Sequence, residues 1–398
     1  MSQRKSHRLP TTVIPERYAL TLALDLSSWT FTGEETVSVN VEEPVQEIVL
    51  NAAELELHAV SLRLADGRVL QGKPGLDPEN EQATLSFAAT VPAGRHELRI
   101  QFSGILNDKL HGFYRSTYMD ANGKEKRLAS TQFESTDARR AFPCWDEPAF
   151  KAVYQVTLVV DEKLTAISNA RVARETPVPE SGKKNVIFAD TIKMSTYLVA
   201  FIIGEFEATE PVRIGDAQLR VCAVPGKKQL AGFAVDIGKA SLEHFSRYYD
   251  IPYPGDKLDL IAIPDFASGA MENLGAITFR ETALLVDRDK ATRTELERVA
   301  DVVSHENAHM WFGDLVTMQW WNGLWLNEAF ATFMEMLAVD AWKPEWRRWD
   351  SFTVSRAAAV QVDGLKSTRP IEFPVERPEE AAGMFHVLTY EKGASVLC

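Results

Sequence analysis

The feature that most constrains this chain is a set of histidine and glutamate side chains between residues 305 and 328. The segment His305–His309 reads HENAH, and 18 residues separate its second histidine from Glu328. Positions four apart share one face of an α-helix, with about 5–6 Å between their Cβ atoms. A helix here points both histidines to the same side, whereas Glu306 is rotated by about 100° around the helix axis.

This pattern predicts a zinc site. A helix with the sequence H-E-x-x-H binds zinc through its histidines and supplies a general base through its glutamate. Catalytic zinc typically takes three protein ligands and leaves a fourth position for water. Glu328 is the candidate third ligand if the helix ends near Gly313 and the chain returns through a short strand, Leu315–Met318, and a turn into a second helix from Asn327 to about Trp342. The alternative to a zinc site is that these residues form an ordinary polar face of a helix in contact with solvent.

Residues 305–335, HENAHMWFGDLVTMQWWNGLWLNEAFATFME, closely resemble the M1 family of zinc aminopeptidases, gluzincins with the signature H-E-x-x-H-x18-E. The resemblance extends over almost the whole chain. It implies an N-terminal all-β, saddle-like domain followed by a thermolysin-like α+β catalytic domain, with peptides that carry a free N-terminal amine as substrates. It also implies one Zn²⁺ ion held by His305, His309 and Glu328, with Glu306 as general base. Because members of the family continue well beyond the position of residue 398, we expect the catalytic domain to be incomplete there.

The N-terminal half shows a period of two in its apolar residues. Tyr18, Leu20 and Leu22 alternate with other residues, and turn signals such as Asp66-Gly67 separate similar runs up to about residue 206. Period two is typical of half-buried β-strands. We therefore predict an all-β domain of antiparallel sheets over residues 1–209. A helical stripe begins near residue 230 and opens a second domain over residues 210–398.

Residues 131–148 break this alternation with a dense mixture of polar and aromatic side chains. Such a segment is typical of a loop, and from its residues alone a salt-bridged surface loop is the simplest interpretation. The family resemblance implies instead that Gln132 and Glu134 reach the active site, where Glu134 binds the α-amine of the substrate. Cys144, in the same segment, is predicted to be a small buried residue rather than a nucleophile.

Residues 269–273, GAMEN, form either a tight turn or a surface for an extended peptide. Small residues let a substrate backbone approach a strand edge closely, and a carboxylate there can pair with an ammonium group. The segment resembles the G-x-M-E-N motif of the M1 family. The resemblance implies that Glu272 is a second amine-binding acid and that the whole motif contacts substrate: Gly269, Ala270, Met271, Glu272 and Asn273.

Two further residues are candidates for the site. Glu335 lies seven positions, about two helical turns, after Glu328, and is a candidate acceptor for the second N–H of a metal-bound histidine; a solvated glutamate is the alternative. Tyr390 begins the sequence YEKG, which resembles the Y-x-K-G motif in which the tyrosine stabilises the oxyanion. The chain departs from the family pattern at His386, where an acid is common. Asn307 is expected to point away from the ion and to have no effect.

Charge and cysteine content restrict the partners. The net charge is −13, from 43 basic and 56 acidic residues, which argues against nucleic acid or an anionic membrane as the main partner. Three scattered cysteines, Cys144, Cys222 and Cys398, cannot make a disulfide framework, so a reducing compartment is expected. The basic N-terminal segment MSQRKSHR is not followed by an apolar stretch, and we predict neither a signal peptide nor a membrane span. A cytoplasmic location is the resulting expectation.

Three alternatives to a zinc aminopeptidase stay open from the sequence. An endopeptidase would share the zinc site but would need no acids for an amine. The branch of the M1 family that opens lipid epoxides carries Gln at the position of Glu134, so Glu134 favours the peptidase. The third alternative is a truncated chain that binds zinc without catalysis and acts as a structural or interaction module.

Overall fold

The structure, a computed structural model, describes residues 7–397. The chain divides into two compact units. The first runs to Thr117 and resumes over Lys126–Gly204, and the second comprises Tyr118–Glu125 and the described chain from Glu205 onward. The predicted division into domains of residues 1–209 and 210–398 stays a prediction. The basic residues 1–6 and Cys398 lie outside the described residues.

Strands dominate the N-terminal half, as the period of two predicts. In chain order they are β1 Val13–Asp25, β2 Thr30–Val41, β3 Val45–Asn51, β4 Glu56–Arg63, β5 Val69–Asp77, β6 Gln82–Val91, β7 Gly94–Ile105, β8 Gly112–Met119, β9 Glu125–Gln132, β10 Val153–Asp161, β11 Thr165–Ser168, β12 Val172–Val178, β13 Lys183–Phe188 and β14 Phe201–Gly204. Two short 3₁₀ turns, Ala138–Arg140 and Thr196–Leu198, are the helical elements described in this half.

These strands form two sheets. One has ten strands in the order β12-β13-β10-β1-β2-β7-β4-β5-β6-β3, and the other has four in the order β11-β14-β9-β8. From Tyr18 to Leu24, every second side chain of β1 is buried, including Leu20 and Leu22, so the alternation marks the core face as expected. The predicted all-β architecture is confirmed. One pairing corrects the antiparallel expectation, because β1 and β10 run parallel.

The second unit combines a mixed sheet with helices. The strands are β15 Glu207–Ala208, β16 Val212–Ile214, β17 Ala217–Ala223, β18 Lys257–Ile263, β19 Ala270–Met271 and β20 Ala276–Arg280. The α-helices are α1 Gly232–Tyr249, α2 Glu281–Leu284, α3 Arg293–His309, α4 Leu324–Trp342, α5 Arg348–Asp363, α6 Pro378–Ala382 and α7 Gly393–Leu397. Three 3₁₀ turns, Lys228–Leu230, Trp321–Gly323 and Pro344–Trp346, and one π-helical turn, Leu388–Lys392, complete the unit.

In this unit, β17, β18 and β20 run parallel and β19 pairs antiparallel with β20. Helices α1, α3 and α4 pack against one another, which places an α+β arrangement after the β-rich half and confirms the predicted fold class. Among residues 7–397, no helix is both long enough and apolar enough to cross a lipid bilayer.

The connection between α3 and α4 differs from the prediction. Residues 315–318 do not form a strand; a single bridge joins Phe312 to Val316. The backbone N–H of Gly313 donates to Val316 O, and the Val316 N–H donates to Trp311 O, so the segment closes on itself. A strand needs a neighbouring strand to accept its backbone hydrogen bonds, and this tight turn satisfies them locally instead.

Candidate metal centre

The two histidines lie in the last turns of α3. Helix α3 begins with a capping box: Thr292 Oγ1 accepts from the Glu295 N–H, and the Glu295 carboxylate accepts from the Thr292 N–H. Val299 and Val303 bury one side of the helix. This packing fixes the rotation of α3, and it directs His305 and His309 to the same side, with 3.1 Å between their Nε2 atoms.

Glu328, in the second turn of α4, reaches the same point. Its Oε2 atom lies 3.1 Å from His305 Nε2 and 3.4 Å from His309 Nε2. A tetrahedral zinc ion with bonds of about 2.0–2.1 Å holds its ligand atoms about 3.3–3.4 Å apart. The three observed separations match the edges of such a tetrahedron. The donor set of two imidazoles and one carboxylate therefore fits a zinc ion.

Each histidine is oriented by a second hydrogen bond. His305 Nδ1 lies 2.8 Å from Glu335 Oε2, and His309 Nδ1 lies 3.0 Å from the Phe312 carbonyl oxygen. Each contact assigns the Nδ1–H as donor and leaves the Nε2 lone pair for a metal. The Gly313 backbone, with φ of +137°, makes room for the second contact, because a Cβ atom there would lie 3.1 Å from His309 Nδ1.

The electrostatics of the cluster favour positive charge at the imidazoles. Burial alone would raise the pKa of Glu328, but hydrogen bonds from His305 and His309 outweigh it and lower that pKa to about 2. Burial would also lower the pKa of His309, whereas Glu272 and Glu328 raise it to about 9. The anionic carboxylate of Glu328 favours a cation beside the two imidazoles. That cation is either a proton on the imidazole nitrogens or a metal ion bound in its place.

Two further acids face this cluster from within the second unit. Ligand atoms of Glu272, Glu306 and His309 all lie within 4.8 Å of one another, and both acids are buried. Glu272 Oε1 and Glu306 Oε2 have no hydrogen-bond partner among residues 7–397. Burial raises the pKa of Glu306 to about 8 and also raises the pKa of Glu272. Buried carboxylate oxygens without a partner are rare and indicate a place for a ligand.

The GAMEN segment forms an edge rather than a tight turn. Ala270 and Met271 make β19, which pairs with β20, and the Arg280 N–H donates to Gly269 O. Asn273 is fully buried and donates from Nδ2 to Thr278 Oγ1 at 3.1 Å. These contacts hold the backbone on both sides of Glu272, so its carboxyl group has a defined direction.

Tyr390 lies in the π-helical turn at residues 388–392. Its ring centroid is 6.0 Å from that of His305, with 29° between the ring planes. His386 lies two residues before this turn and caps it: its Nδ1 accepts from the Leu388 N–H at 3.4 Å, and its carbonyl accepts from the Thr389 N–H at 2.7 Å. His386 thus supplies the acceptor that an acid could also supply at the start of this turn. Single π-turns are frequent at functional sites.

Gln132 and Glu134 belong to the first unit, whereas the other candidates belong to the second. Gln132 ends β9, and Glu134 follows in the predicted loop, half-buried. The loop is salt-bridged, as its composition indicates, but it is not a surface loop: Arg139 and Asp146 are both buried and pair at 2.9 Å. Cys144 is also buried, as predicted, and burial raises the pKa of its thiol.

The sequence reasoning missed three features. Asn307 points away from the site, as expected, yet it is fully buried and donates from Nδ2 to Ser241 Oγ and to Gly238 O, which ties α3 to α1. The sequence signal that could have shown this is an asparagine at a helix position whose neighbours on the same face are apolar. The Phe312 carbonyl leaves no comparable signal, because every residue has a carbonyl group, and the sequence indicated Gly313 only as a helix end, not as space for a contact of His309.

Comparisons with known proteins identify the family of this chain. A model of the peptidase M1 N-terminal domain matches residues 14–198, and a model of the peptidase family M1 domain matches residues 233–398. The chain belongs to the peptidase M1 family. Similar proteins include Aminopeptidase M1-D of Oryza sativa subsp. japonica, 43% identical over 99% of this chain, and Aminopeptidase M1 of Arabidopsis thaliana, 44% identical over 98%. The protein named puromycin-sensitive aminopeptidase of Caenorhabditis elegans is 43% identical over 98%.

This sequence spans less than half the length of the relatives that it matches. It spans 45% of the rice protein, 44% of the Arabidopsis protein and 42% of the nematode protein. The shared region includes both the β-rich half and the helices that carry the histidines and Glu328. Peptidases of the M1 family are zinc enzymes, so the ion that fits these three side chains is the one expected for the family.

Proposed function

We propose that this chain carries the active site of a zinc-dependent aminopeptidase, which hydrolyses the N-terminal residue from peptides. One observation carries the proposal: His305 Nε2, His309 Nε2 and Glu328 Oε2 converge with separations of 3.1–3.4 Å, next to two buried acids with unpartnered oxygens. The names of the similar proteins support the same activity.

The chemistry is divided among neighbouring residues. Zinc bound by His305, His309 and Glu328 would polarise the scissile carbonyl and lower the pKa of a water molecule to about 7. Glu306 takes a proton from the attacking water and returns it to the leaving amine. Tyr390 donates a hydrogen bond to the carbonyl oxygen as negative charge develops on it, a contact worth about 3–4 kcal/mol.

Substrate binding explains Glu272. Its carboxylate pairs with the N-terminal ammonium group, and the β19 edge holds the first residues of the peptide. The family resemblance implies corresponding roles for Glu134 and Gln132. An acid that requires a free ammonium limits cleavage to the first peptide bond, which makes the enzyme an exopeptidase. The low cysteine content supports a cytoplasmic location, and the net charge of −13 agrees with a site for a cationic group.

Metal removal and blocked substrates test the proposal. Purified protein should contain one zinc ion per chain, lose hydrolysis of aminoacyl p-nitroanilides after chelation, and regain it with added zinc. Glu272→Ala should raise KM for free-amine substrates by tenfold or more, because one charge-assisted contact to the ammonium is worth about 1.5–3 kcal/mol. Equal cleavage of free and N-acetylated peptides would exclude the aminopeptidase assignment, and absence of stoichiometric zinc would exclude the metal site.

A further inference from the structure

Gly393 follows the π-helical turn that carries Tyr390, and it packs directly against α4. A Cβ atom built on Gly393 would lie 2.6 Å from the Cβ atom of Ala329, whereas ordinary contacts of a Cβ atom are 3.4–4 Å. The next atoms, Ala329 Cα and Ile371 Cγ2, are 3.8 and 3.9 Å away. The close approach is therefore a single contact between one glycine and one alanine.

The backbone does not require glycine at this position. Gly393 has φ of −58° and ψ of −51°, which are ordinary right-handed helical values. In a helix, glycine is less favourable than alanine by about 1 kcal/mol. Local conformation thus favours alanine, and the contact with Ala329 is what makes the missing side chain necessary.

The contact joins the two parts of the proposed site. Ala329 directly follows Glu328, the third member of the metal-binding set. Gly393 lies three residues after Tyr390, whose ring stacks at 6.0 Å on that of His305. The contact between Ala329 and Gly393 therefore lies next to Glu328 on one side and close to Tyr390 on the other. Its length affects the distance between Tyr390 and the histidines.

The two sides differ in how easily they move. Helix α4 has 19 residues, packs on α1, α3 and α5, and is held at Glu328 and Glu335 by contacts with His305 and His309. The opposite side is a five-residue π-turn followed by the five-residue α7. A side chain at position 393 would therefore displace the turn that carries Tyr390 rather than the helix that carries Glu328.

We propose that Gly393 is a positioning residue that sets the distance of Tyr390 from the zinc-binding histidines through its contact with Ala329. The inference rests on the proposed function, in which Tyr390 donates to the substrate carbonyl. A displacement of about 1 Å in an active site can reduce a rate by roughly 10²-fold. Substrate affinity depends on the acids that bind the ammonium, so KM is expected to change little.

Two variants test this proposal: one adds a methyl group at residue 393, and the other also removes the methyl group of residue 329. Gly393→Ala should lower kcat for an aminoacyl p-nitroanilide by roughly 100-fold, with KM and zinc content close to wild type. Gly393→Ala combined with Ala329→Gly removes the opposing methyl group, and it should recover most of kcat when compared with Ala329→Gly alone. Crystal structures should show the Tyr390–His305 ring separation widening beyond 6.0 Å in the single variant and returning in the double variant.

The outcomes separate the inference from the function on which it rests. A single variant that keeps both the 6.0 Å ring separation and wild-type kcat overturns the inference, as does a folded double variant that recovers neither. If Gly393→Ala does not fold, a folded and active double variant supports the contact, and an unfolded double variant overturns it. Full activity in Tyr390→Phe would remove the catalytic role of the tyrosine, whereas the ring separation would still decide whether Gly393 positions it.

Discussion

Each unit of the molecule contains a polar cluster with a buried centre, and the two clusters differ in whether their acids are paired with a cationic side chain. The arginine cluster of the first unit consists of Arg139 and Arg140 with four acids, each of which forms an ion pair with an arginine: Glu54, Glu81, Asp137 and Asp146. The histidine cluster of the second unit consists of His305, His309, Glu272, Glu306, Glu328 and Glu335. No arginine or lysine is recorded as an ion-pair partner of its acids among the described residues, and Glu272 and Glu306 carry unpartnered oxygens. Asp146 in the arginine cluster also has one unpartnered oxygen, Oδ1, but its other oxygen is paired with Arg139.

The difference shows how to separate a structural polar cluster from a functional one. A buried acid that is paired with a cationic side chain holds a loop in place, and its charge needs no ligand to balance it. A buried acid without a partner costs free energy in the isolated protein, so it persists where a ligand, ion or substrate completes it. Composition alone does not distinguish the two clusters, because both are rich in acids.

The largest expected effect is on the arginine cluster. Arg139→Met removes the partner of Asp146 and leaves a carboxyl group that is 1% exposed without its cation. Loss of one partner of a buried ion pair typically costs about 3–5 kcal/mol. We expect the free energy of unfolding of the first unit, measured by hydrogen exchange of its strand amides, to fall by about that amount while zinc content stays unchanged.

Two controls sharpen this comparison. Arg99→Met removes an exposed pair with Glu34 in the same unit, and it should change stability by less than about 1 kcal/mol. Glu272→Gln, in the histidine cluster, removes a buried carboxylate that has no cationic side chain, and it should leave the stability of the second unit equal or higher. If Glu272→Gln destabilises its unit as much as Arg139→Met does, the distinction between the clusters is wrong.

The first unit contains one acid that resembles those of the histidine cluster. Glu35 on β2 is fully buried, lies between Leu20 on β1 and Ile100 on β7, and has neither carboxylate oxygen partnered among residues 7–397. Burial raises the pKa of Glu35 well above its usual value of 4.5. Leucine has a similar volume and no polar atoms, so Glu35→Leu should raise the free energy of unfolding by about 1–3 kcal/mol near pH 7.

The pH dependence of this gain has a definite sign. At pH values above 4.5, an unfolded chain releases the proton of residue 35, whereas the folded chain keeps it until the pH reaches the raised pKa. Fewer bound protons in the unfolded state mean that stability falls as pH rises through this range. The advantage of Glu35→Leu over wild type should therefore grow with pH. A constant difference in urea unfolding from pH 4.5 to 8 would show that Glu35 is not buried as a neutral acid.

The sequence predicts those features in which one local pattern determines one geometry. Helical spacing places His305 and His309 on one face, and the T-x-x-E pattern of Thr292 and Glu295 is typical of the capping box with which their helix begins. The seven-residue spacing from Glu328 to Glu335 is enough to anticipate the 2.8 Å contact with His305. Period two identifies the strands of the first unit because each strand has one buried face.

Features that depend on distant or backbone partners are not predictable in this way. The parallel pairing of β1 with β10 joins residues more than 130 positions apart, and alternation within a strand does not indicate its neighbour or its direction. Asn307 reads as a neutral position of a motif, but its hydrogen bonds to α1 depend on a helix packing that the spacing does not contain. The second contact of His309 comes from a carbonyl group, which every residue has.

The smallest expected effect concerns that carbonyl. Gly313 has φ of +137°, and an alanine Cβ atom there would lie 3.1 Å from His309 Nδ1 and 3.3 Å from His309 O. Gly313→Ala should therefore shift the imidazole away from Phe312 O and weaken the hydrogen bond that directs its Nε2 lone pair. Changes in groups that orient metal ligands typically reduce metal affinity by 10–100-fold. We expect about a tenfold loss of zinc affinity in chelator competition, the lower end of that range, because the carbonyl itself remains.

Gly226→Ala is the matched control, since it imposes a similar backbone cost without the contact. Gly226 also has a positive φ, +86°, but no atom lies within 4 Å of its absent Cβ. Both variants should lose stability, because alanine is strained at positive φ, yet only Gly313→Ala should lose zinc affinity. Equal zinc affinity in the two variants would mean that the Phe312 carbonyl does not orient His309. The histidine cluster would then depend on Glu335 alone for its alignment, and it would be less preorganised than the arginine cluster of the first unit.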